Sequence, residues 1–284
     1  RRVTIQNNSV AGNSQTGITV ANAADVLIGG NHPQSPNDIT FNPVGVSVEG
    51  ANAVNAQILA NRINQNTNGI VLRDGAHGNL ITSSNQITQN RTGVYVTGAL
   101  SNSILNNLIE RNTGAGVLLD SGATANVLRE NTIVANGIDL TLHAGVEVTG
   151  AATLRNTITI NSITENGGKG IALSGGGNRE IKPPTLTAYD THAVYGTASA
   201  PDGSVAEIFK DFEDEGKEFL AAARMFNGRF RVPFALNAAL VGVAFELTGT
   251  VTDPDGNTSE FGKLKVDTLL FLSKVVFTST RDGN

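Results

Sequence analysis

The sequence contains no cysteine and no tryptophan among its 284 residues. Without cysteine there is no disulfide framework and no cysteine nucleophile. The absence of disulfides does not exclude export, so the cysteine count leaves the redox compartment undetermined. Only 16% of the residues are charged, and the 20 basic residues are scattered and outnumbered by 25 acidic ones. The resulting net charge of -5 argues against nucleic acid or an anionic membrane as a partner. No apolar run approaches the ~18 residues of a membrane-spanning helix, so no membrane span is predicted.

One short sequence motif, called the repeat phrase below, recurs through the first two thirds of the chain. Asn-x-[Ile/Val]-x-x-Asn is followed about nine residues later by Gly-[Ile/Val]-x-[Val/Leu], and the combination occurs seven times. The first asparagines are Asn8, Asn37, Asn61, Asn85, Asn107, Asn131 and Asn161, the second are Asn13, Asn42, Asn66, Asn90, Asn112, Asn136 and Asn166, and the glycines are Gly17, Gly45, Gly69, Gly93, Gly116, Gly145 and Gly170. The period is about 24 residues, and the two longer intervals indicate inserted loops.

Each repeat contains three short strand signals separated by polar corners. Two lie within the phrase, and a third apolar pair, such as Ile58 with Leu59, precedes the next copy. Three strands make one turn of a coil, and stacked turns pair each strand in parallel with its copy at ~4.8 Å. The asparagines are predicted to occupy the corners, where Asn accepts positive φ, and to hydrogen-bond along the stack. The sequence therefore predicts an all-β fold, a right-handed parallel β-helix of about seven rungs.

The composition changes where the repeat ends. Residues 1–180 are predicted to form the β-helix, and a Pro-Pro linker follows. Residues 181–267 alternate in a strand pattern with turn signals at Asp202-Gly203, Asn227-Gly228 and Asp255-Gly256. This segment predicts a small immunoglobulin-like β-sandwich, and residues 268–284 are predicted to be a tail or the start of a further module.

The asparagine phrase with ITFNPVGVSVEGANAVNAQILANRI resembles the parallel β-helix repeats of secreted modular bacterial proteins with a pectate-lyase-like fold. The motifs VAEIFKDF and VTDPDGNTSEFG resemble the sandwich module that follows such repeats. The resemblance implies an exported, glycan-facing or surface-displayed protein. The fold family includes polysaccharide lyases, tailspike glycosidases, epimerases and adhesins or stalks without a catalytic site, so the resemblance transfers no catalytic residue.

A site on a β-helix is a patch of outward side chains on successive rungs. The Gly-[Ile/Val]-x-[Val/Leu] strands carry two outward columns on one face. These columns and the adjoining corner place together the side chains of Glu49, Arg73, Asp74, Tyr95, Asp120 and Glu147. This face is the predicted ligand-binding groove.

The groove has two interpretations. In the enzymatic one, Asp120 and Glu147 lie on adjacent rungs with their Cα atoms about 8 Å apart, a separation that permits an inverting acid/base pair. Arg73 would then bind a uronate carboxylate, and Tyr95 would stack on a sugar. In the alternative, Glu49 and Arg73 form a surface ion pair between rungs on a solvated face. No column stacks two acids on neighbouring rungs, which counts against a lyase-type calcium cluster.

No cofactor is predicted, with calcium as the alternative at two acidic segments. Asp253, Asp255 and Asn257 imitate the start of an EF-hand loop, but the glycine stands at the fourth place instead of the sixth, so a hairpin turn is the simpler interpretation. The acidic residues of the run 211–215 predict a solvated loop, with calcium again the alternative. The histidines occupy separate loops without ligand spacing and are predicted to be surface residues: His32, His77, His143 and His192.

These observations predict a non-catalytic, secreted or cell-surface display module that binds a polysaccharide or another surface protein. The alternative is a polysaccharide lyase, glycoside hydrolase or epimerase acting on an acidic polysaccharide. A third hypothesis follows from Arg1–Ile5, which open the chain inside a rung without a visible signal peptide. The open strand edges of that rung predict self-association and a longer parent polypeptide.

Overall fold

The computed structural model describes residues 3–138, 142–190, 192–211, 214–234 and 245–266, and the predicted tail at 268–284 lies outside these ranges. The described chain folds into three parallel seven-stranded sheets, followed by antiparallel sheets of three and four strands. The predicted all-β fold, a parallel β-helix of seven turns followed by a small β-sandwich, is confirmed. One 3-10 helix, Gly177–Glu180, lies between them. Among the described residues, no helix has the length and apolar character needed to cross a membrane.

Each turn of the β-helix contributes one strand to each parallel sheet. The first sheet contains β1 Val3–Ile5, β4 Val26–Gly29, β7 Gln57–Leu59, β10 Leu80–Thr82, β13 Ser103–Leu105, β16 Val127–Arg129 and β19 Thr157–Thr159. The second contains β2 Ser9–Ala11, β5 Asp38–Thr40, β8 Arg62–Asn64, β11 Gln86–Thr88, β14 Leu108–Glu110, β17 Thr132–Val134 and β20 Ser162–Thr164. The third contains β3 Thr16–Ala21, β6 Val44–Glu49, β9 Asn68–Arg73, β12 Thr92–Thr97, β15 Val117–Asp120, β18 Val146–Thr149 and β21 Ile171–Ser174.

The core is a set of vertical files of aliphatic side chains. In the second sheet, Ile63 pairs with Ile87, Ile87 with Ile109, and Ile109 with Ile133. These four side chains are fully buried. Parallel in-register pairing stacks each side chain on its own copy, and burying each one contributes about 1.5–3 kcal/mol to stability. The repeated aliphatic positions therefore determine the register of the coil.

The two predicted asparagine ladders are confirmed. Asn61 Nδ2 donates to Asn85 Oδ1 at 3.2 Å, and Asn85 Nδ2 donates to Asn107 Oδ1 at 2.8 Å. The backbone NH of Asn61 donates to the same Asn85 oxygen at 2.9 Å. A third ladder, which the sequence analysis missed, joins Asn79, Asn102, Asn126, Asn156 and Asn178. Each ladder links adjacent turns through both side-chain and backbone donors.

The prediction that the ladder asparagines take positive φ is wrong. At every position of the two predicted ladders except Asn37, the residue before the asparagine adopts that conformation, for example Ala60 at 55°, Gln65 at 56° and Ile160 at 52°. A turn at the preceding residue leaves the asparagine free to direct its amide along the stack. A non-glycine residue in this conformation costs about 1–2 kcal/mol, and the ladder hydrogen bonds offset that cost.

The glycine of the repeat phrase is explained by close contact between turns. A Cβ atom on Gly93 would lie 2.5 Å from the backbone oxygen of Gly116 in the next turn and 2.8 Å from Cγ2 of Ile109. Because a backbone oxygen cannot move aside without breaking the stack, only glycine fits this column.

The sandwich consists of two antiparallel sheets that share an apolar core, which includes Ile208, Phe230 and Leu247. The three-stranded sheet contains β22 Thr185–Tyr189, β23 Ala193–Thr197 and β26 Arg229–Pro233. The four-stranded sheet contains β24 Val205–Asp211, β25 Glu218–Arg224, β27 Phe245–Thr252 and β28 Gly262–Val266.

The predicted hairpin signals have mixed outcomes. Asp255-Gly256 lies between β27 and β28, which pair antiparallel as a hairpin requires. Asn227-Gly228 forms a two-residue turn across which Phe226 and Arg229 exchange both backbone hydrogen bonds, although β25 before it and β26 after it belong to different sheets. Asp202-Gly203 instead lies between β23 and β24, which belong to different sheets. Turn residues specify a local reversal of the chain, but the packing decides which sheet the next strand joins.

The sandwich packs directly on the last turn of the β-helix. Phe209 and Phe261 join the same buried cluster as Ile163 and Ile171. The expected solvated loop at 211–215 is therefore wrong for the part that the structure describes. Asp211 and Glu215 are only 6% and 7% exposed, because they lie between the two units.

This buried junction predicts a pH dependence of stability. Burial raises the pKa of Glu207 and of Glu215 above the ordinary glutamate value, although hydrogen bonds from the last turn act in the opposite direction. The folded chain therefore binds these protons more tightly than the unfolded chain. Their contribution to stability is fully present below the unfolded pKa and is lost as pH rises through the raised folded values.

We expect the urea midpoint of the wild type to fall, relative to that of a Glu207→Gln/Glu215→Gln variant, as pH rises from about 4.5 toward neutrality. Urea unfolding across this range measures the difference between the two proteins. A constant difference would contradict the assignment of these two groups.

Candidate functional site

The predicted outward columns lie in adjacent register on the third sheet. Tyr95 pairs with Leu118, and Leu118 pairs with Glu147, so these three side chains form one column across β12, β15 and β18. In the next column, Glu49 pairs with Arg73. The six candidate residues therefore share a face, but their contacts divide them into separate groups.

Glu49, Arg73 and Asp74 form the first group. Arg73 donates from Nε to Glu49 Oε2 at 2.7 Å, and its terminal nitrogen contacts the same oxygen. The hydrogen bond from Arg73 holds the pKa of Glu49 below its usual value. Arg73 Nε also lies 3.7 Å from Asp74 Oδ2. This ion pair between rungs is the one predicted as the alternative to the enzymatic interpretation. Arg73 is therefore already paired with two carboxylates.

Tyr95 and Asp120 form the second group. The Tyr95 hydroxyl donates to Asp120 Oδ2 at 2.9 Å, one turn further along the helix. Burial raises the pKa of Tyr95, and the neighbouring Asp120 raises it further. The phenol is therefore a fixed, neutral donor at physiological pH. Asp120 Oδ1 is buried without a hydrogen-bond partner in the described part of the chain.

We expect Asp120→Asn to lower the pKa of Tyr95, because the carboxylate charge that opposes tyrosinate formation is removed. Ultraviolet absorbance of tyrosinate in an alkaline titration measures this shift, and Tyr95→Phe assigns the signal among the three tyrosines. An unchanged titration would show that Asp120 does not act on the phenol.

Glu147 belongs to a cleft of about 240 Å³ beside the third sheet. Its Oε1 atom lies 2.9 Å from His143 Nδ1 and accepts the backbone NH of Ala144 at 3.1 Å. The cleft is lined by Thr67, Asn68, Arg91, Thr92, Tyr95, Gly114, Ala115, Leu118, His143 and Glu147. It thus combines an aromatic ring and small apolar groups with hydroxyl, amide, imidazole, guanidinium and carboxylate groups.

The two carboxylates of the enzymatic interpretation have different partners. Asp120 is engaged by Tyr95, whereas Glu147 is engaged by His143 and a backbone NH. An inverting pair needs one carboxyl group to act as an acid and the other to activate a water molecule. The observed partners instead fix the positions of the ring of Tyr95 and of the Glu147 carboxylate, an arrangement suited to binding.

Sequence reasoning missed His143 and Arg91 as residues of this cleft. His143 belongs to the inserted loop of the sixth repeat, which starts at Gly137. An insertion beside the candidate face was the available signal, because loops on one side of a β-helix form the walls of its grooves. Within the described residues, the guanidinium of Arg91 makes no hydrogen bond or ion pair.

The calcium candidates of the sandwich already contact protein donors. Asp253 Oδ1 accepts the backbone NH of Asn257 at 2.8 Å, and Asn257 Oδ1 accepts the NH of Arg155 at 2.6 Å. The guanidinium of Arg179 lies 3.0 Å from Asp255 and 3.7 Å from Asp253. In the described ranges, no group of three or more His, Cys, Asp or Glu side chains is arranged to hold a metal ion.

We expect the melting temperature to be the same in calcium and in EDTA, because Arg179 supplies the positive charge that these carboxylates need. Scanning calorimetry under both conditions makes the comparison. A melting temperature that falls in EDTA and recovers with calcium would instead indicate a bound ion.

The chain was compared with family models and with known proteins. A family model for the right handed beta helix region matches residues 1–183. Among solved structures, this chain is similar to full-length tailspike protein 2 from Escherichia coli O157:H7 bacteriophage CAB120, at 12% identity and a TM-score of 0.38. That similarity covers 92% of this chain and 51% of the tailspike, so the chain spans about half of its length. No curated protein matches. Because the family model matches more than half of the sequence, the chain belongs to the right-handed β-helix family.

Proposed function

We propose that this protein is a secreted or cell-surface display module that binds a carbohydrate chain without cleaving it. The observation that carries the proposal is the cleft beside the third sheet, in which Tyr95, Leu118 and Glu147 stand in one column on successive turns. A sugar presents apolar CH faces and hydroxyl groups, and such a mixed lining complements both. The regular spacing of turns also suits a ligand that is itself an extended chain.

Tyr95 is the central residue of this proposal. Its ring is held in place by the hydrogen bond to Asp120, so little side-chain freedom is lost when a sugar packs on it. Glu147, oriented by His143, offers an acceptor for sugar hydroxyl groups. Both carboxylates are thus used for positioning, which supports binding over turnover.

The test compares binding and cleavage by the same full chain. Isothermal titration calorimetry with polygalacturonate, alginate, a galactomannan and dextran measures binding, and reducing-end release with ultraviolet absorbance detects hydrolysis or elimination. We expect at least one polymer to bind, and Tyr95→Ala to weaken that binding about 10- to 100-fold through loss of ring contact.

Two matched variants serve as controls. Tyr195→Ala removes a tyrosine of the sandwich that is half-buried like Tyr95 and also donates to an aspartate, Asp190, at 2.9 Å. Arg62→Ala removes an exposed arginine of the second sheet and is compared with Arg91→Ala in the cleft. Equal losses in cleft and control variants, or no binding to any polymer, would refute the proposal. Product release that disappears in Asp120→Asn or Glu147→Gln would favour the lyase, hydrolase or epimerase alternative.

A further inference from the structure

The last turn of the β-helix ends in three strand edges, β19, β20 and β21, one in each parallel sheet. In earlier turns, backbone NH groups donate to carbonyls of the next turn, as Arg111 N does to Val134 O and Val117 N does to Gly145 O. The last turn has no following repeat, so its NH groups need other acceptors. Exposed edges of this kind also pair readily with strands of other molecules.

The sandwich provides these acceptors in the first and second sheets. In β19, the NH of Ile158 donates to the hydroxyl of Thr258 at 2.9 Å. In β20, the NH of Ile163 donates to the carbonyl of Gly216 at 2.9 Å, and Gly216 N donates back at 2.8 Å. Each contact takes the place of a hydrogen bond to a further turn.

The third sheet is closed by a carboxylate. The NH of Leu173 in β21 donates to Glu260 Oε1 at 3.0 Å, while the other oxygen of Glu260 accepts Lys169 Nζ at 2.7 Å. An acceptor from the sandwich therefore reaches the edge of every parallel sheet. Gly216 lies between β24 and β25, and Thr258 and Glu260 both lie between β27 and β28.

The second asparagine ladder also continues into the sandwich. Within the ladder, Asn166 Oδ1 accepts both the backbone NH and Nδ2 of Asn136 at 3.0 Å. Glu215 Oε1 in turn accepts the backbone NH of Asn166 at 3.0 Å and its Nδ2 at 2.9 Å. Glu215 thus occupies the place of the next ladder asparagine with the same pair of hydrogen bonds.

The third ladder ends in the same way. Asn178 Oδ1 accepts the backbone NH of Asn156 at 3.0 Å, and Asn178 Nδ2 donates to the carbonyl of Thr258 at 3.2 Å. Beside the first ladder, the NH of Ile160 donates to Glu207 at 3.1 Å. The sandwich therefore reproduces the acceptor pattern of a turn although its strands run in an unrelated topology.

We propose that the sandwich is a surrogate eighth turn that ends the β-helix and prevents its last edges from pairing with strands of a second copy of this chain. Carboxylates suit this task, because a carboxylate accepts the available NH groups but offers no donor with which a further strand could pair. The proposal is independent of carbohydrate binding, since it uses no residue of the cleft.

The test uses the full chain with Glu215→Ala/Glu260→Ala and the conservative Glu215→Gln/Glu260→Gln. We expect the alanine variant to accelerate amide hydrogen exchange at Asn166 and Leu173 about 10- to 100-fold, because their NH groups lose their acceptors. Light scattering should then show a mass that rises with protein concentration. The glutamine variant keeps the acceptor oxygens and should therefore keep the wild-type exchange rates at these two amides.

The control is Glu218→Ala, which removes an exposed carboxylate of β25 that lies 4.0 Å from Lys210. Unchanged exchange at Asn166 and Leu173 in the alanine variant would overturn the surrogate turn, and faster exchange without association would overturn the protective role. If the double variant unfolds, Glu260→Ala alone gives the same comparison at Leu173. Within the described residues, the side chain of Glu260 accepts hydrogen bonds only from Leu173 and Lys169.

Discussion

Replacing Asn112 with alanine is expected to lower the free energy of unfolding by about 3–6 kcal/mol, as measured by urea denaturation. Asn112 Oδ1 accepts both the backbone NH and Nδ2 of Asn90, at 2.9 and 3.0 Å. Its own Nδ2 donates to Ile87 O at 3.1 Å and to Asn136 Oδ1 at 2.8 Å. Alanine removes these four hydrogen bonds, each of which contributes about 0.5–1.5 kcal/mol, and leaves the backbone NH of Asn90 buried without its acceptor.

Asn52→Ala is the control for this variant, because Asn52 is an exposed asparagine outside the ladders. It is expected to change stability by less than about 0.5 kcal/mol. Asn112→Asp adds a third comparison, since aspartate keeps the acceptor but removes the donor and brings an unpaired charge into the core. Equal stability of Asn112→Ala and Asn52→Ala would mean that the ladder does not stabilise the fold.

Replacing Phe209 with alanine is expected to cost about 3–5 kcal/mol and to destabilise both units together. Phe209 is 2% exposed, and its ring makes edge contacts with Phe219 and Phe261 at 5.6 and 5.5 Å between centroids. It lies in the same cluster as the aliphatic core of the last turns, although it belongs to a strand of the sandwich. The cavity would therefore open at the junction.

Phe226→Ala is the matched control, because Phe226 is 70% exposed and its ring leaves no cavity when removed. Hydrogen exchange in peptides from residues 157–174 and from 229–252 reports the two units separately. We expect Phe209→Ala to increase exchange in both sets of peptides. Faster exchange in the sandwich peptides alone would contradict a shared core.

The position of the candidate face could be predicted from the sequence, but the contacts between its side chains could not. The columns holding Tyr95 and Glu147 follow from the repeat, because parallel register places equivalent positions above one another. The hydrogen-bond partners of these residues depend on the conformations of the side chains and of the inserted loops. The pairing of Arg73 with Glu49 matched the simpler interpretation, whereas the contact between Glu147 and His143 was not anticipated.

Local conformational preference predicts the wrong residue for positive φ at the corners. Asparagine does tolerate positive φ, yet in the two predicted ladders, except at Asn37, the residue before it adopts that conformation, including the β-branched Ile160. The ladder hydrogen bonds outweigh the intrinsic preference of a single residue. The same reasoning applies to Asp211 and Glu215, whose charges indicate exposure in isolation but which the packing of two units buries.

By itself the sequence determined the repeat, the parallel stacking, and the vertical files of asparagine and isoleucine, because these depend on periodicity and on contacts between equivalent residues. Only the tertiary structure decided where the repeat is closed and which side chains meet in the cleft. Contacts such as Glu215 with Asn166 join residues without a shared pattern, 49 positions apart along the chain. Their formation depends on the docking of one unit on another, which no local or periodic signal encodes.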